Sequence, residues 1–240
     1  MALKQNKNEE EVNRLRDDLW SVVSHKLRTP LSGAKWLVET MQNETPGILN
    51  EKQKAYMDDI HKTIDQAVAL VFDLSHMVRF LGGMAPIKKE PVMIAEFFDN
   101  LLSEAKIVAA KYKVALQNGL QDGALKIETD SEILKIILRG MLDNAIEYSL
   151  LDKEVRLDAK KDADAIIFSV KDLGVGIPKN EQDQIFQRFF RASNAKKQKS
   201  NGTGLDLYVM KSLAEKIGGK IYFESEEGKG SVFYLSISAV

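Results

Sequence analysis

The octapeptide SHKLRTPL, Ser24 to Leu31, sets His25 and Thr29 four residues apart. On a helix an imidazole and a hydroxyl so spaced share one face, a turn from each other. Pro30 cannot donate a backbone hydrogen bond to the carbonyl of Lys26, so the helix is expected to bend or loosen beside His25. With a reference pKa of about 6.5, an imidazole is mostly neutral at pH 7 and keeps one nitrogen lone pair free. That setting points to a histidine that accepts a phosphoryl group. Lys26, at a reference pKa of about 10.4, stays protonated and cannot take the proton of the other ring nitrogen unless strongly desolvated.

A second group of residues has the chemistry of nucleotide binding. VKDLGVGIP, Val170 to Pro178, reads as a strand that ends at Asp172, with Gly174 and Gly176 directly after it. A carboxylate there can accept a hydrogen bond from an exocyclic amine, and the glycines let the backbone approach a ligand closely. NGTGLDLYVMK, Asn201 to Lys211, is a glycine-rich loop that runs into a helix and offers N–H groups and a positive dipole end to phosphates. The chain has no G-x-x-x-x-G-K-[ST], so a P-loop is not the means. Upstream, LDNAIEYS sets Asn144 within a helix, where its amide oxygen can serve as a hard ligand for Mg2+.

The elements that must position these residues follow from periodicity. Met57, Ile60, Ile64, Ala67, Val71, Leu74 and Val78 step by three and four in alternation, a heptad seam, and Val12, Leu15, Leu19 and Val22 begin a similar helix. Between them NETPGILN, Asn43 to Asn50, reads as the turn of a helical hairpin. One hairpin buries its apolar stripe poorly, so the pattern predicts a homodimer whose two hairpins form a four-helix bundle. LGGMAPIKKEP, Leu81 to Pro91, ends the helical pattern and reads as a linker. Beyond it helices are expected over Ile94 to Lys111, Ser131 to Tyr148 and Leu205 to Ile217, with strands at VRLDAKK, AIIFSVKD, KIYFESEE and SVFYLSIS. The short gaps DADA and EGKG suit hairpin turns. The expected fold is therefore multidomain: an all-α hairpin over 1–81, a linker over 82–91, and over 92–240 an α+β sandwich with a mixed, largely antiparallel sheet and helices on one face.

Composition sets the outer bounds. The 240 residues carry a net charge of −1, which gives no basic footprint for nucleic acid. The chain has no cysteine, which excludes disulfide scaffolds, thiolate metal sites and cysteine nucleophiles. No run approaches the roughly 18 apolar residues of a membrane span, and the N-terminus lacks the apolar core of a signal peptide, so the expectation is a cytoplasmic chain.

The octapeptide resembles the phosphoacceptor box of sensor histidine kinases. The Asn144 helix, the Asp172 turn and the glycine loop, in that order, resemble the ATP-binding domain shared by histidine kinases, gyrase-type ATPases and mismatch-repair ATPases. IFQRFFRA, Ile185 to Ala192, looks like the aromatic-arginine box of the kinases, which gyrase-type relatives lack. The resemblance implies that Asp172 recognises the adenine amino group, that Gly174 and Gly176 shape the turn beneath the nucleotide, and that Asn144 binds Mg2+. It implies nucleotide contacts for Tyr148, Arg188, Arg191 and Leu205, with Gly202, Thr203 and Gly204 wrapping the triphosphate in a mobile lid over about 179–204. Phe189 and Phe190 would pack that lid against the domain, and NAKKQKSNG reads as a flexible loop. ATP would phosphorylate His25, and the phosphoryl group would pass to an aspartate of a response regulator receiver domain. Thr29 matches the position that orients a water for dephosphorylating that partner.

Four positions depart from the family pattern. Lys26 replaces the acidic residue that acts as general base, Gly140 an asparagine one turn before Asn144, Glu147 a basic residue, and Asp206 a glycine after the GTGL run. They favour an alternative, a kinase-impaired dimeric scaffold or a phosphatase-biased regulator. His61 and His76 lack the Thr-Pro context and read as solvated or packed residues.

Overall fold

The computed structural model describes residues 27, 30–41, 49–76, 86–198 and 202–238. It divides into two compact units, Met1–Ala85 with Asn201–Thr203, and Pro86–Ser200 with Gly204–Val240. His25, Lys26 and Thr29 lie outside the described residues, as do most of the expected turn and the Val12 to Val22 seam.

The first unit is a pair of helices, α1 over residues 30–41 and α2 over Glu51–His76. Asn50 starts α2 through a reciprocal cap: the Gln53 N–H donates to Asn50 Oδ1 and the Asn50 N–H to Gln53 Oε1, each at 2.9 Å. Across the pair, Lys35 Nζ lies 2.6 Å from Asp65 and His61 Nε2 lies 3.5 Å from Glu39. His61 is thus a half-buried partner of an acidic cluster. Val38 and Ile64 are buried, whereas Trp36, Leu37, Met41, Tyr56 and Ile60 stay exposed. Of the expected seam, then, Ile64 is covered and Ile60 is not.

The second unit has helices α3 (Ile94–Tyr112), α4 (Ser131–Tyr148), α5 (Ser193–Gln198) and α6 (Asp206–Lys216), and seven strands. Strands β1 (Glu90–Met93) and β3 (Lys126–Thr129) pair antiparallel. The main sheet runs β2 (Ala115–Asn118), β4 (Glu154–Asp162), β5 (Ala165–Lys171), β7 (Gly230–Ser238) and β6 (Gly219–Glu226). All its pairs are antiparallel except β2 with β4. The four long strands and three long helices match the sequence pattern to within a residue or two. The short strands β1, β2 and β3 do not announce themselves in sequence, because four residues are too few to show a period of two. β1 takes in Glu90 and Pro91, at the end of the segment read as linker.

The core lies between the sheet and the helices. α3 presents Ile94, Phe98, Leu101, Leu102, Ala105 and Ala109, and Phe98 meets Phe168 of β5 with ring centroids 6.2 Å apart. α4 buries two adjacent rows, Ile133, Ile137 and Met141 beside Leu134, Leu138 and Leu142. That leaves Gly140, Asn144, Glu147 and Tyr148 as a half-buried stripe along the margin of the core.

Asp130 fixes where α4 begins. Its Oδ1 accepts from the Ile133 N–H at 3.0 Å, and its Oδ2 from the Lys88 N–H at 2.9 Å, so one carboxylate caps the helix and ties down the chain that enters the domain. Asp130→Ala is expected to cost the second unit about 1–2 kcal/mol, read as a lower urea midpoint for its unfolding. Asp130→Asn, which keeps an acceptor for the Ile133 N–H, should recover much of the loss, and an unchanged midpoint for Asp130→Ala would show that the cap contributes nothing net.

Candidate functional site

β5 delivers Asp172 into a buried turn. The Asp172 N–H donates to the Ser231 carbonyl at 2.9 Å, and its Oδ1 accepts from the Gly174 N–H at 2.9 Å and the Ser231 N–H at 3.2 Å. Asp172 is only 5% exposed. Both protein donors fall on Oδ1, and among the described residues Oδ2 has no protein partner. A carboxylate oxygen left in this way suits a ligand donor such as an amine.

The glycines after Asp172 are there for space. A Cβ on Gly174 would stand 2.0 Å from the Tyr148 carbonyl oxygen, where the turn meets the end of α4 in the Ser149–Gly174 bridge. Gly176, at φ +61°, would put a Cβ 2.0 Å from the Glu226 carbonyl oxygen. The β6–β7 hairpin thus cradles the turn: the Gly228 N–H donates to the Val175 carbonyl at 2.8 Å and the Ile177 N–H to Ser225 Oγ at 2.9 Å. Gln182 Nε2 then bonds the carbonyls of both Ile177 and Ser225.

Asn144 and Tyr148 stand one turn apart on the marginal stripe of α4. The Tyr148 carbonyl accepts from the Val175 N–H at 3.2 Å, and among the described residues the half-buried Asn144 amide makes no hydrogen bond to protein. Its oxygen therefore fits the role of cation ligand. No group of three His, Cys, Asp or Glu residues forms a metal cage among the described residues. Gly140 belongs to packing: a Cβ there would meet Met210 Sδ of α6 at 2.8 Å. A larger residue at 140 would need the flexible end of the Met210 side chain to shift. Asp206 is the first residue of α6 and not its cap, a position held by Leu205 without a side-chain bond.

The segment between the glycine-rich stretches is more ordered than its composition suggests. It holds a 3₁₀ turn, Lys179–Gln184, and α5. Asn194 to Gln198, expected as flexible loop, are helical because side-chain hydrogen bonds anchor them to their surroundings. Arg188 stacks 4.5 Å over the Tyr208 ring and donates to its hydroxyl at 2.5 Å, while Arg191 donates to the Ala195 carbonyl at 3.4 Å. Of the aromatic residues, Phe186 packs edge-on against Phe223 at 5.9 Å, whereas Phe189 is 69% exposed. Phe189 sits at φ +63°, held by its N–H to the Gly204 carbonyl at 2.9 Å. Gly204, at φ +68°, would put a Cβ 2.7 Å from the Phe189 carbonyl carbon, so the arginine box and the glycine loop are locked backbone to backbone.

Sequence reasoning passed over Ser231, whose N–H and carbonyl both serve Asp172, and over Asn194 and Gln198. The only available signal for Ser231 was the EGKGS turn, which brings the start of β7 back toward β5. Burial pushes the Asp172 carboxyl up to about 6, against the pull of the Gly174 and Ser231 N–H groups. The folded domain thus keeps a proton that the unfolded chain releases between 3.8 and about 6. The resulting stabilisation is complete below that window and is lost as pH rises through about 6. Asp172→Asn keeps an acceptor oxygen but cannot ionise. Its urea midpoint, relative to wild type, is expected to rise from pH 4 to pH 7 by on the order of 2–3 kcal/mol in stability; a margin independent of pH would contradict the burial cost.

Comparison with known proteins agrees with this geometry. Residues 129–240 match the family model of histidine kinase-, DNA gyrase B- and HSP90-like ATPases, and residues 15–83 that of the His Kinase A phospho-acceptor domain. The circadian input-output histidine kinase CikA of Synechococcus elongatus is 30% identical over 227 residues, 94% of this chain and 30% of CikA. The sensor histidine kinase WalK of Bacillus subtilis is 28% identical over 233 residues, 95% of this chain and 38% of WalK. The chain therefore spans about a third of the length of these relatives. Among solved structures, full-length ShkA in complex with AMPPNP has a TM-score of 0.69 at 22% identity, covering 93% of this chain and 46% of ShkA. The histidine kinase AdeS of Acinetobacter baumannii has a TM-score of 0.61 at 20% identity, covering 90% of this chain and 98% of AdeS. With a phospho-acceptor match over the helical region and an ATPase match over the region that holds Asp172, the chain combines the two domains of a histidine kinase.

Proposed function

We propose that this chain is the kinase core of a two-component sensor, in which ATP bound in the second unit phosphorylates His25 and the phosphoryl group then passes to an aspartate of a response regulator. The observation that carries the reading is the buried Asp172 carboxylate, with Oδ1 committed to two backbone donors and Oδ2 left for a ligand. Oδ2 accepts the adenine amine, and the glycine-lined turn admits the flat base. Asn144 would hold Mg2+ through its amide oxygen. When bound, that ion neutralises the charge that develops on the transferred group. Gly202, Thr203 and Gly204, at the entry to α6, offer backbone N–H groups and the helix dipole to the triphosphate. For Arg188 to reach a phosphate it must leave the Tyr208 ring.

His25 attacks the γ-phosphorus through the ring nitrogen that is unprotonated at pH 7, the bond to the β–γ bridging oxygen breaks and ADP leaves, and the imidazolium so formed gives up the proton of its other nitrogen. Lys26 cannot serve as the base for that step, which typically costs roughly 10²- to 10⁴-fold in rate. The exposed Trp36, Leu37, Tyr56 and Ile60 of the hairpin are the face for a second copy of the chain, completing a four-helix bundle. Thr29 takes the role of orienting water for dephosphorylation of the regulator.

Incubation with γ-labelled ATP should give acid-labile, base-stable label that His25→Gln abolishes and that Asn144→Ala and Asp172→Ala reduce by at least tenfold. Lys26→Glu should speed labelling by roughly 10²-fold. Saturating nucleotide with no label in either protein would replace the kinase by the scaffold reading. Nucleotide affinity should fall as pH drops through about 6, where Asp172 gains a proton and Oδ2 loses its charge.

A further inference from the structure

α5 is a six-residue helix with no buried residue. An isolated helix needs roughly 12–15 residues to be even marginal in water, and α5 has no apolar face to bury. Its position therefore rests on polar contacts. At its start the Ser193 N–H donates to Glu181 Oε2 at 2.8 Å, a bond that holds the Glu181 carboxyl below its usual value. Two amide side chains one turn apart do the rest. Asn194 Nδ2 donates to the carbonyls of Val175 and Gly176 at 3.2 and 2.9 Å. Gln198 Nε2 donates to those of Glu147 and Ser149 at 3.2 and 3.3 Å.

The four carbonyls belong to two different walls. Val175 and Gly176 lie in the turn that follows Asp172, and Glu147 and Ser149 at the end of the helix that carries Asn144. The last carbonyls of a helix have no partner within it, and α4 has no basic residue in its last turn, so Gln198 supplies a donor that α4 lacks. The walls meet in the Ser149–Gly174 bridge, and α5 straddles that seam. Asp172 precedes the first wall and Asn144 lies on the helix of the second, so a helix that ties the walls together bears on both groups to which the nucleotide reading gives a role.

We infer that Asn194 and Gln198 are positioning residues of the nucleotide site, a two-point amide clasp that holds α5 across the seam between the Asp172 turn and α4 and retains the bound nucleotide. The inference rests on the nucleotide reading above. The clasp acts on the walls and not on the reacting phosphoryl group, so it governs how long the nucleotide stays.

The test uses the full chain carrying Asn194→Leu and Gln198→Met, uncharged side chains of similar size without the N–H donors. Without ligand, hydrogen exchange across α5, including the Lys196 N–H that bonds the Ala192 carbonyl at 3.1 Å, is expected to quicken about tenfold. With a fluorescent ATP analogue and Mg2+ loaded, dissociation is expected to quicken roughly tenfold, while His25 labelling at saturating ATP changes less than threefold. Unchanged exchange, or unchanged dissociation, overturns the clasp and leaves the nucleotide reading standing. If the wild-type chain binds no nucleotide at all, the nucleotide reading falls and the inference with it.

Discussion

The second unit is organised around the enclosure of one carboxylate. Taking an ionised group out of water is costly unless hydrogen bonds replace its hydration, and for Asp172 two backbone N–H groups provide them through a single oxygen. To bring the Gly174 N–H back to Oδ1 the chain must turn tightly after β5. To bring the Ser231 N–H there, β7 must begin beside that turn. Gly230 allows this, since a Cβ on it would stand 2.3 Å from the Asp172 carbonyl oxygen. The carboxylate thus ties the end of β5 to the start of β7, and the same enclosure leaves the other oxygen without a protein partner among the described residues.

Around that centre the fold adds braces whose function is access. α4 buries two apolar rows and leaves a half-buried stripe on which Asn144 sits. α6 meets α4 with Met210 against Gly140. The arginine box is fastened to that loop by the Phe189–Gly204 bond. Phe189 adopts a left-handed backbone that a large side chain seldom accepts, and the bond from its N–H to the Gly204 carbonyl holds that backbone in place.

The departures from the family pattern take on different weights in this light. At Gly140 the space beside the glycine is taken by the flexible end of the Met210 side chain of α6. Asp206 opens α6, where an acidic residue is favourable to the helix dipole. Lys26 is a matter of proton transfer, and its weight comes from the chemistry of a protonated ammonium beside an imidazole.

Much of this protein was legible in its sequence, wherever the signal is local and repeated. The Ser131–Tyr148 helix, the antiparallel strands and the helix over Glu51–His76 follow from apolar spacing, which a chain must satisfy to bury one face. The candidate residues His25, Asn144, Asp172 and the glycines follow from residue type, because few side chains can accept a phosphoryl group, ligate a hard cation or let a backbone come so close. Only the tertiary structure could assign the division of labour between the two Asp172 oxygens, the part of Ser231, the packing meaning of Gly140 and the ordering of Asn194 to Gln198. Each depends on a neighbour brought close by the fold, across 59 residues from Ser231 to Asp172 and 51 from Gln198 to Glu147. Periodicity reports which face of an element is buried; it carries no record of which distant carbonyl or amide will meet a given side chain once that face is covered.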